Sequence, residues 1–198
     1  MSNCLLIFTR NPELGKVKSR LAKGVGKENA LTIYKKLLQH TREVVTQVDC
    51  DRWVGYSVSI RDNDMWETRD FKKFKQEGDD LGDRMKHAFK AAFAAGHKKV
   101  IIVGSDLYDL RARHIEEAFA ALDTQETVIG PAKDGGYYLL GMKSLIPEVF
   151  SNKEWGTETV YEATLSNLNK EKLHTLEELN DIDFAEDLKP YPEFEQYL

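Results

Sequence analysis

The chain has 198 residues and a mass of 22.7 kDa, which predicts one domain over residues 1–198. A domain of this length buries roughly 70% of its unfolded surface and needs no disulfide or metal staple. Hydrophobic residues at 41% and charged residues at 31% exclude a wholly disordered chain, and the net charge of −5 argues against a general nucleic-acid binder.

Charge is unevenly spread. Residues 1–50 carry nine Lys/Arg against four Asp/Glu, whereas residues 171–198 carry two against nine. Cys4 and Cys50 fit neither a metal spacing nor a disulfide framework. No apolar run approaches 18 residues, so no membrane helix is expected. The apolar run at 4–8 is too short for a secretion signal and lacks a basic leader. A cytoplasmic protein without a membrane partner is expected.

In chain order, residues 5–8 read as a short buried strand. Ala30, Ile33, Leu37 and Val44/Val45 recur close to a helical period over 28–47. Strands are predicted at 53–58 and, edge-like, at 71–75, and a helix at 80–95. Residues 99–103 are β-branched and apolar, the clearest strand in the chain, and a helix follows at 112–122. Strands at 126–130 and 136–142 lie too close for a helical crossover, so one of them is expected to be antiparallel. A helix after Thr157 and a short strand near 172–176 complete the set. Strands alternating with helices predict an α/β fold, a three-layer α/β/α sandwich with a mostly parallel sheet and right-handed crossovers.

Ligands of such sheets bind beyond the carboxyl ends of the strands. Three segments there carry unusual polar residues. Residues 10–27 hold Arg10, Lys16, Lys18, Arg20, Lys23 and Lys27, with turns at Pro12 and Gly15, and read as a flexible basic loop. Clustered Lys and Arg suit a di- or triphosphate, although the GxxxxGK[ST] loop is absent. Asp106, just past the end of the central strand, is placed to hold Mg²⁺ or Mn²⁺; Asp109 reads as structural. In DGGYYLLG (134–141), Gly135 and Gly136 admit close backbone approach, and Asp134 is a second carboxylate for a metal or an acceptor hydroxyl. A type I′ hairpin explains the same glycines without function. Tyr137 and Tyr138 face opposite sides of a strand. The five histidines read as surface or loop residues. Trp155 precedes a plausible cap at Thr157 and either walls a pocket or packs in the core.

Together FTRNPELGKVKSRL, QEGDDLGDRM, VIIVGSDLYDL, VIGPAKDGGYYLLGM, EWGTETV and DIDFAEDL resemble one bacterial family. These are the GT-A-fold transferases associated with radical-SAM and selenium gene clusters, within the nucleotide-diphospho-sugar transferase superfamily. The segments are also similar to phospholactate and molybdenum-cofactor guanylyltransferases. The resemblance implies a nucleotide or nucleotide-sugar donor over the first strand-end loop, with Lys16, Lys18 and Arg20 as phosphate contacts. It implies Gln76, Gly78 and the 81–85 segment with Arg84 near the base, and Asp106 as the metal aspartate. Asp134, Gly135, Gly136 and Tyr137 would face an unidentified small-molecule acceptor. Asp183 is either a further metal ligand or a helix cap. The usual Ser-Asp-Cys-Pro reads SDLY here, with Leu107 and Tyr108, which predicts a looser loop around Asp106. Metal-dependent glycosyl transfer is the expected activity. Nucleotidyl transfer to a small phosphorylated or acidic acceptor is the alternative, and a nucleotide-binding module without catalysis is the third reading.

Overall fold

The computed structural model describes residues 3–198. Strand β1 (Asn3–Thr9) buries Cys4 to Ile7 completely, so both of its faces must be covered. It pairs in parallel with β2 (Asp51–Tyr56) on one side and β4 (Lys99–Val103) on the other. The sheet extends through β3 (Lys72–Lys75), β6 (Tyr137–Met142), β5 (Thr127–Pro131) and β7 (Leu173–Thr175). Its spatial order is β3-β2-β1-β4-β6-β5-β7. Only β6 runs antiparallel to its neighbours, because five residues between β5 and β6 leave no room for a crossover helix. The predicted α/β architecture with a mostly parallel sheet is the observed one.

The two faces of β1 define the layers. Leu5 and Ile7 join Tyr34 and Leu38 of α2 (Lys27–Val45) and Ile115 and Phe119 of α4 (Ala112–Thr124). Cys4 and Leu6 meet Met85 and Phe89 of α3 (Leu81–Ala94) on the opposite face. Full burial of such a side chain contributes about 1.5–3 kcal/mol. A third cluster joins Leu21 of α1 (Leu21–Val25) and Ile33 and Leu37 of α2 to Ile182, Leu188 and Phe194. The acidic C-terminal segment is therefore packed, and it lies against the basic N-terminal quarter of the chain. Helix α5 (Val160–Leu165) follows β6.

Several expectations change. The second strand starts and ends two residues earlier than its apolar pattern indicates. Its register is set by pairing Cys4 with Asp51, and its end by Asn11, whose Oδ1 accepts from the Val58 and Ser59 amides (3.0 and 3.4 Å). Phe71 lies outside β3, buried edge-on against Trp66. Residues 10–27 are not an open flexible loop: a turn closes from the Lys16 amide to the Glu13 carbonyl, and α1 occupies Leu21–Val25. Helix α5 begins after Thr159 rather than Thr157. Of the histidines read as surface or loop residues, His97 is in a loop but buried, and His114 is buried on α4. No helix among the described residues is long and apolar enough to cross a membrane.

Candidate functional site

The strand order reverses between β1 and β4, and the loops leaving their carboxyl ends diverge there, as ligand sites of open α/β sheets require. The loop after β1 is set by Tyr34, whose hydroxyl accepts from the Arg10 amide (2.9 Å) and donates to the Arg10 carbonyl (3.1 Å). The chain then turns so that Lys18, in the left-handed region at φ 48°, points inward with a side chain only 5% exposed. Its Nζ donates to Asp106 Oδ2 and to Asp183 Oδ1, each at 2.9 Å. Arg20 reaches the other Asp183 oxygen at 3.3 Å. Two carboxylates from distant parts of the chain thus converge on one cation position.

Electrostatics follow from that convergence. Burial pulls the Lys18 ammonium toward neutrality, but Asp106 and Asp183 outweigh it and hold its pKa above the ordinary lysine value. Burial pushes the Asp106 carboxyl up, yet Lys18, with help from Arg10, keeps it below the usual carboxylate range. Asp181 behaves oppositely. Burial, then the charges of Asp134, Asp106 and Asp183, raise it to about 7, and Lys18 offsets this only in part. Sequence reasoning missed Asp181; its position two residues before Asp183 was the available signal.

Asp183 does not cap a helix. That task falls to Asp187, whose Oδ2 accepts from the amides of Asp183 (3.0 Å) and Phe184 (2.7 Å), leaving the Asp183 carboxylate free for Lys18 and Arg20. Asp109 is structural through a different partner, accepting from the Tyr191 hydroxyl at 2.7 Å. The SDLY loop is anchored by burial in place of proline. Leu107 sits in the core, and Tyr108 packs against His40, Tyr191 and Phe194 at 4.8, 5.1 and 4.9 Å between ring centroids.

Asp134 and its glycines form a five-residue connection from β5 to β6, not the two-residue type I′ hairpin. Asp134 Oδ1 accepts from the Gly136 amide (2.8 Å), and the Gly135 carbonyl accepts from the Tyr161 amide (2.9 Å). Gly135 has φ 85°, and a Cβ there would lie 2.3 Å from the Glu158 carbonyl oxygen. Gly135→Ala is therefore expected to cost about 2–3 kcal/mol, read as a lower urea midpoint at unchanged slope.

A cavity of about 260 Å³ opens between the β1, β4 and β6 ends. Asp106, Asp134, Gly136, Tyr137, Trp155 and Asp181 all line it. Trp155 crosses Gly82 of α3, where a Cβ would stand 2.6 Å from the indole ring, and its Nε1 is buried without a hydrogen-bond partner. Tyr138 points to the other side of β6 and donates to the Glu177 carbonyl at 3.1 Å.

The basic residues separate. Lys18 and Arg20 reach the carboxylate pair, whereas Lys16 is exposed and paired with Glu13 at 2.7 Å. Gln76 is consumed locally, donating from Nε2 to the Gly55 carbonyl (2.8 Å) and the Thr9 carbonyl (3.3 Å). Arg84 Nε donates to the Gly78 carbonyl at 3.1 Å, closing the turn before α3. None of Gln76, Gly78 and Arg84 lines the cavity.

Among the described residues no group of three or more His, Cys, Asp or Glu side chains is gathered at metal-binding geometry. Asp106 and Asp183 nevertheless supply hard oxygen donors around one cation position. Mg²⁺ is commonly held by one or two carboxylates with substrate phosphates completing the shell, so the donor set fits such an ion.

The site is thus a carboxylate pair with two basic side chains at the switch point of an open α/β sheet. Residues 39–157 match the family described as an uncharacterized protein conserved in bacteria (DUF2064), and the chain belongs to that family. No curated protein matches its sequence. A candidate nucleotide-diphospho-sugar transferase from Desulfovibrio desulfuricans G20 is 33% identical, with TM-score 0.88 over 98% of this chain and 89% of that one. CMP:2-keto-3-deoxy-manno-octonic acid synthetase, solved with CTP, shares the fold at 14% identity and TM-score 0.59, each chain covered in full. Rv0371c from Mycobacterium tuberculosis H37Rv, solved with manganese, shares it at 11% identity and TM-score 0.60, over 98% and 99% of the two chains.

Proposed function

We propose that the protein is a cytoplasmic Mg²⁺- or Mn²⁺-dependent transferase using a nucleotide-activated donor, with residues 1–198 forming one transferase-like domain. The favoured reaction is glycosyl transfer from a nucleoside-diphosphate sugar. The observation that carries this reading is the convergence of Asp106 and Asp183 on one cation position at the β1–β4 switch point. A candidate nucleotide-diphospho-sugar transferase at 33% identity supports the donor class.

In this reading Asp106 and Asp183 hold the metal, which when bound neutralises charge on the donor's pyrophosphate. The Lys18 ammonium holds that position in this structure, so metal binding requires it to swing onto the donor's phosphates, where Arg20 joins it, with Arg10 adding positive charge from the same loop. Asp134 and Asp181 face the acceptor side and accept hydrogen bonds from its hydroxyl. Nucleotidyl transfer from a triphosphate uses the same apparatus, and the CTP-bound relative of the fold keeps it as the second reading. In either reading Lys16 is already neutralised by Glu13, and Lys18 and Arg20 reach phosphate only once a metal takes over the carboxylate pair.

A melting-temperature screen of nucleoside triphosphates and nucleotide sugars, with and without Mg²⁺ or Mn²⁺, tests the proposal. A ligand at 100 times its Kd adds roughly 2.7 kcal/mol, a rise of roughly 5–10 °C for this length. The expected result is a metal-dependent rise with one diphosphate sugar that Asp106→Asn abolishes. A rise that survives Asp106→Asn without metal would instead mark a non-catalytic nucleotide binder. No rise with any nucleotide would remove the transferase reading.

A further inference from the structure

The cation position between Asp106 and Asp183 is filled by the protein's own ammonium. Lys18 Nζ takes one oxygen of each carboxylate and Arg20 the other oxygen of Asp183, so cationic donors engage three of the four oxygens. The two carboxylates are open to solvent, with side chains 37% and 28% exposed, whereas the Lys18 side chain is 5% exposed. A dissolved cation can therefore reach the pair, but it finds most of the negative charge already neutralised. The backbone aims the lysine there. Lys18 has φ 48°, a left-handed conformation that a residue with a Cβ keeps only where its surroundings impose it. Buried Val17 and Leu21 flank it, and its carbonyl accepts from the Ala22 amide at 2.8 Å where α1 begins. With the chain pinned on both sides, the ammonium moves only by rotation within its own side chain.

We propose that Lys18 is an interlock: it keeps the carboxylate pair closed to free divalent metal and opens it when a phosphate-bearing ligand draws the ammonium away. This rests on the transferase reading above and adds its order of assembly. A buried ammonium does not simply abandon two carboxylates, because an unpaired charge in a partly desolvated site is costly. It leaves for another anion. Donor phosphates supply one, and Arg20 finds the same partner as it lets go of Asp183. The vacated pair then presents a doubly negative set of hard oxygen donors, with phosphate oxygens at hand to complete a metal's shell. Each ligand removes the obstacle to the other, so phosphate raises metal affinity by the same factor as metal raises phosphate affinity. Direct contact between metal and phosphate contributes to that factor as well; the share due to Lys18 is the part that its removal abolishes.

The EPR signal of free Mn²⁺ measures metal binding to the full chain without turnover. Wild type should bind Mn²⁺ alone weakly, and Lys18→Met should bind it about tenfold more tightly or better. Lys18→Gln replaces the methionine variant if that one does not fold, and melting curves confirm folding in each. Adding Asp106→Asn to Lys18→Met should remove the gain, which locates the metal at the named pair. Coupling is read from melting temperatures with Mn²⁺ and with ADP, GDP, CDP and UDP in turn. In wild type, Mn²⁺ alone or a nucleotide alone should shift the midpoint by less than about 1 °C, and Mn²⁺ with the nucleotide that fits by about 5 °C or more. In Lys18→Met, Mn²⁺ alone should already give most of that rise. Equal Mn²⁺ affinity in wild type and variant, or a gain that survives Asp106→Asn, would overturn the interlock. A metal-dependent nucleotide response in a wild type that binds Mn²⁺ as tightly as Lys18→Met removes the interlock alone. No nucleotide response in either protein removes the transferase reading and the interlock with it.

Discussion

Lys18→Met should destabilise the protein by about 2–4 kcal/mol at neutral pH, measured by urea unfolding. Methionine fills nearly the same volume, so packing changes little. What is lost is the ammonium that both Asp106 and Asp183 contact at 2.9 Å, leaving two half-buried carboxylates facing each other without it. The pH dependence follows from the shifts. Asp106 has a depressed folded pKa, so its contribution is present above the ordinary Asp value of 3.8 and is lost as pH falls through the lower folded value. Lys18 has a raised folded pKa, so its contribution is complete below the ordinary lysine value of 10.5 and fades only above that. The deficit of the variant should therefore plateau between about pH 5 and 10 and shrink in acid. Millimolar Mg²⁺ should restore part of the lost stability, since the vacated charge position suits a hard cation. A variant as stable as the wild type would show that the buried pair contributes nothing net, and one indifferent to Mg²⁺ would count against metal binding there.

The second large effect is at Asp181, and its sign is opposite. Its carboxyl is raised from 3.8 to about 7 by burial and by Asp134, Asp106 and Asp183. Between those values the folded state holds a proton that the unfolded chain releases, so stability declines as pH rises from about 4 to 7. Asp181→Asn replaces the protonated carboxyl by a neutral amide of the same shape. It should equal the wild type near pH 4 and exceed it by about 1–3 kcal/mol at pH 8, a figure reduced for the residue's partial exposure. Melting curves at the two pH values decide it. A gain in stability on removing a side chain is the behaviour expected of a group kept for binding or chemistry. Equal stability of the two proteins at pH 8 would mean that Asp181 is solvated as an ordinary surface carboxylate.

Much of the architecture was legible in the residues. The apolar runs at 4–8 and 99–103 and the helical period of Ala30, Ile33 and Leu37 correspond to β1, β4 and α2, because burial on both faces or along one stripe leaves a periodic trace. That one of β5 and β6 runs antiparallel followed from the short connection between them, whereas which of the two it is did not. The place of Asp106 was legible because a carboxylate three residues past a doubly buried strand stands at the sheet's ligand edge. Val58 misled, since its strand propensity lost to the side-chain hydrogen bonds of Asn11, which turn the chain away after Tyr56. The 10–27 segment misled more deeply. Counting cations predicts an exposed phosphate loop, but a local count cannot register that Lys18 meets carboxylates 88 and 165 positions further along.

Local patterns determined which segments are strands and helices, which faces they bury, and which strand end presents an aspartate. Hydrophobic periodicity and chain reach act over a few residues, and both can be read along the chain. Closure of the acidic C-terminal segment over the basic N-terminal quarter decided the rest: the Lys18 bridge, the excess negative charge at Asp181, and a cavity lined by acids and aromatics. Those properties depend on Coulomb interactions and desolvation between side chains far apart in sequence, whose distances and burial exist only once the tertiary fold has formed.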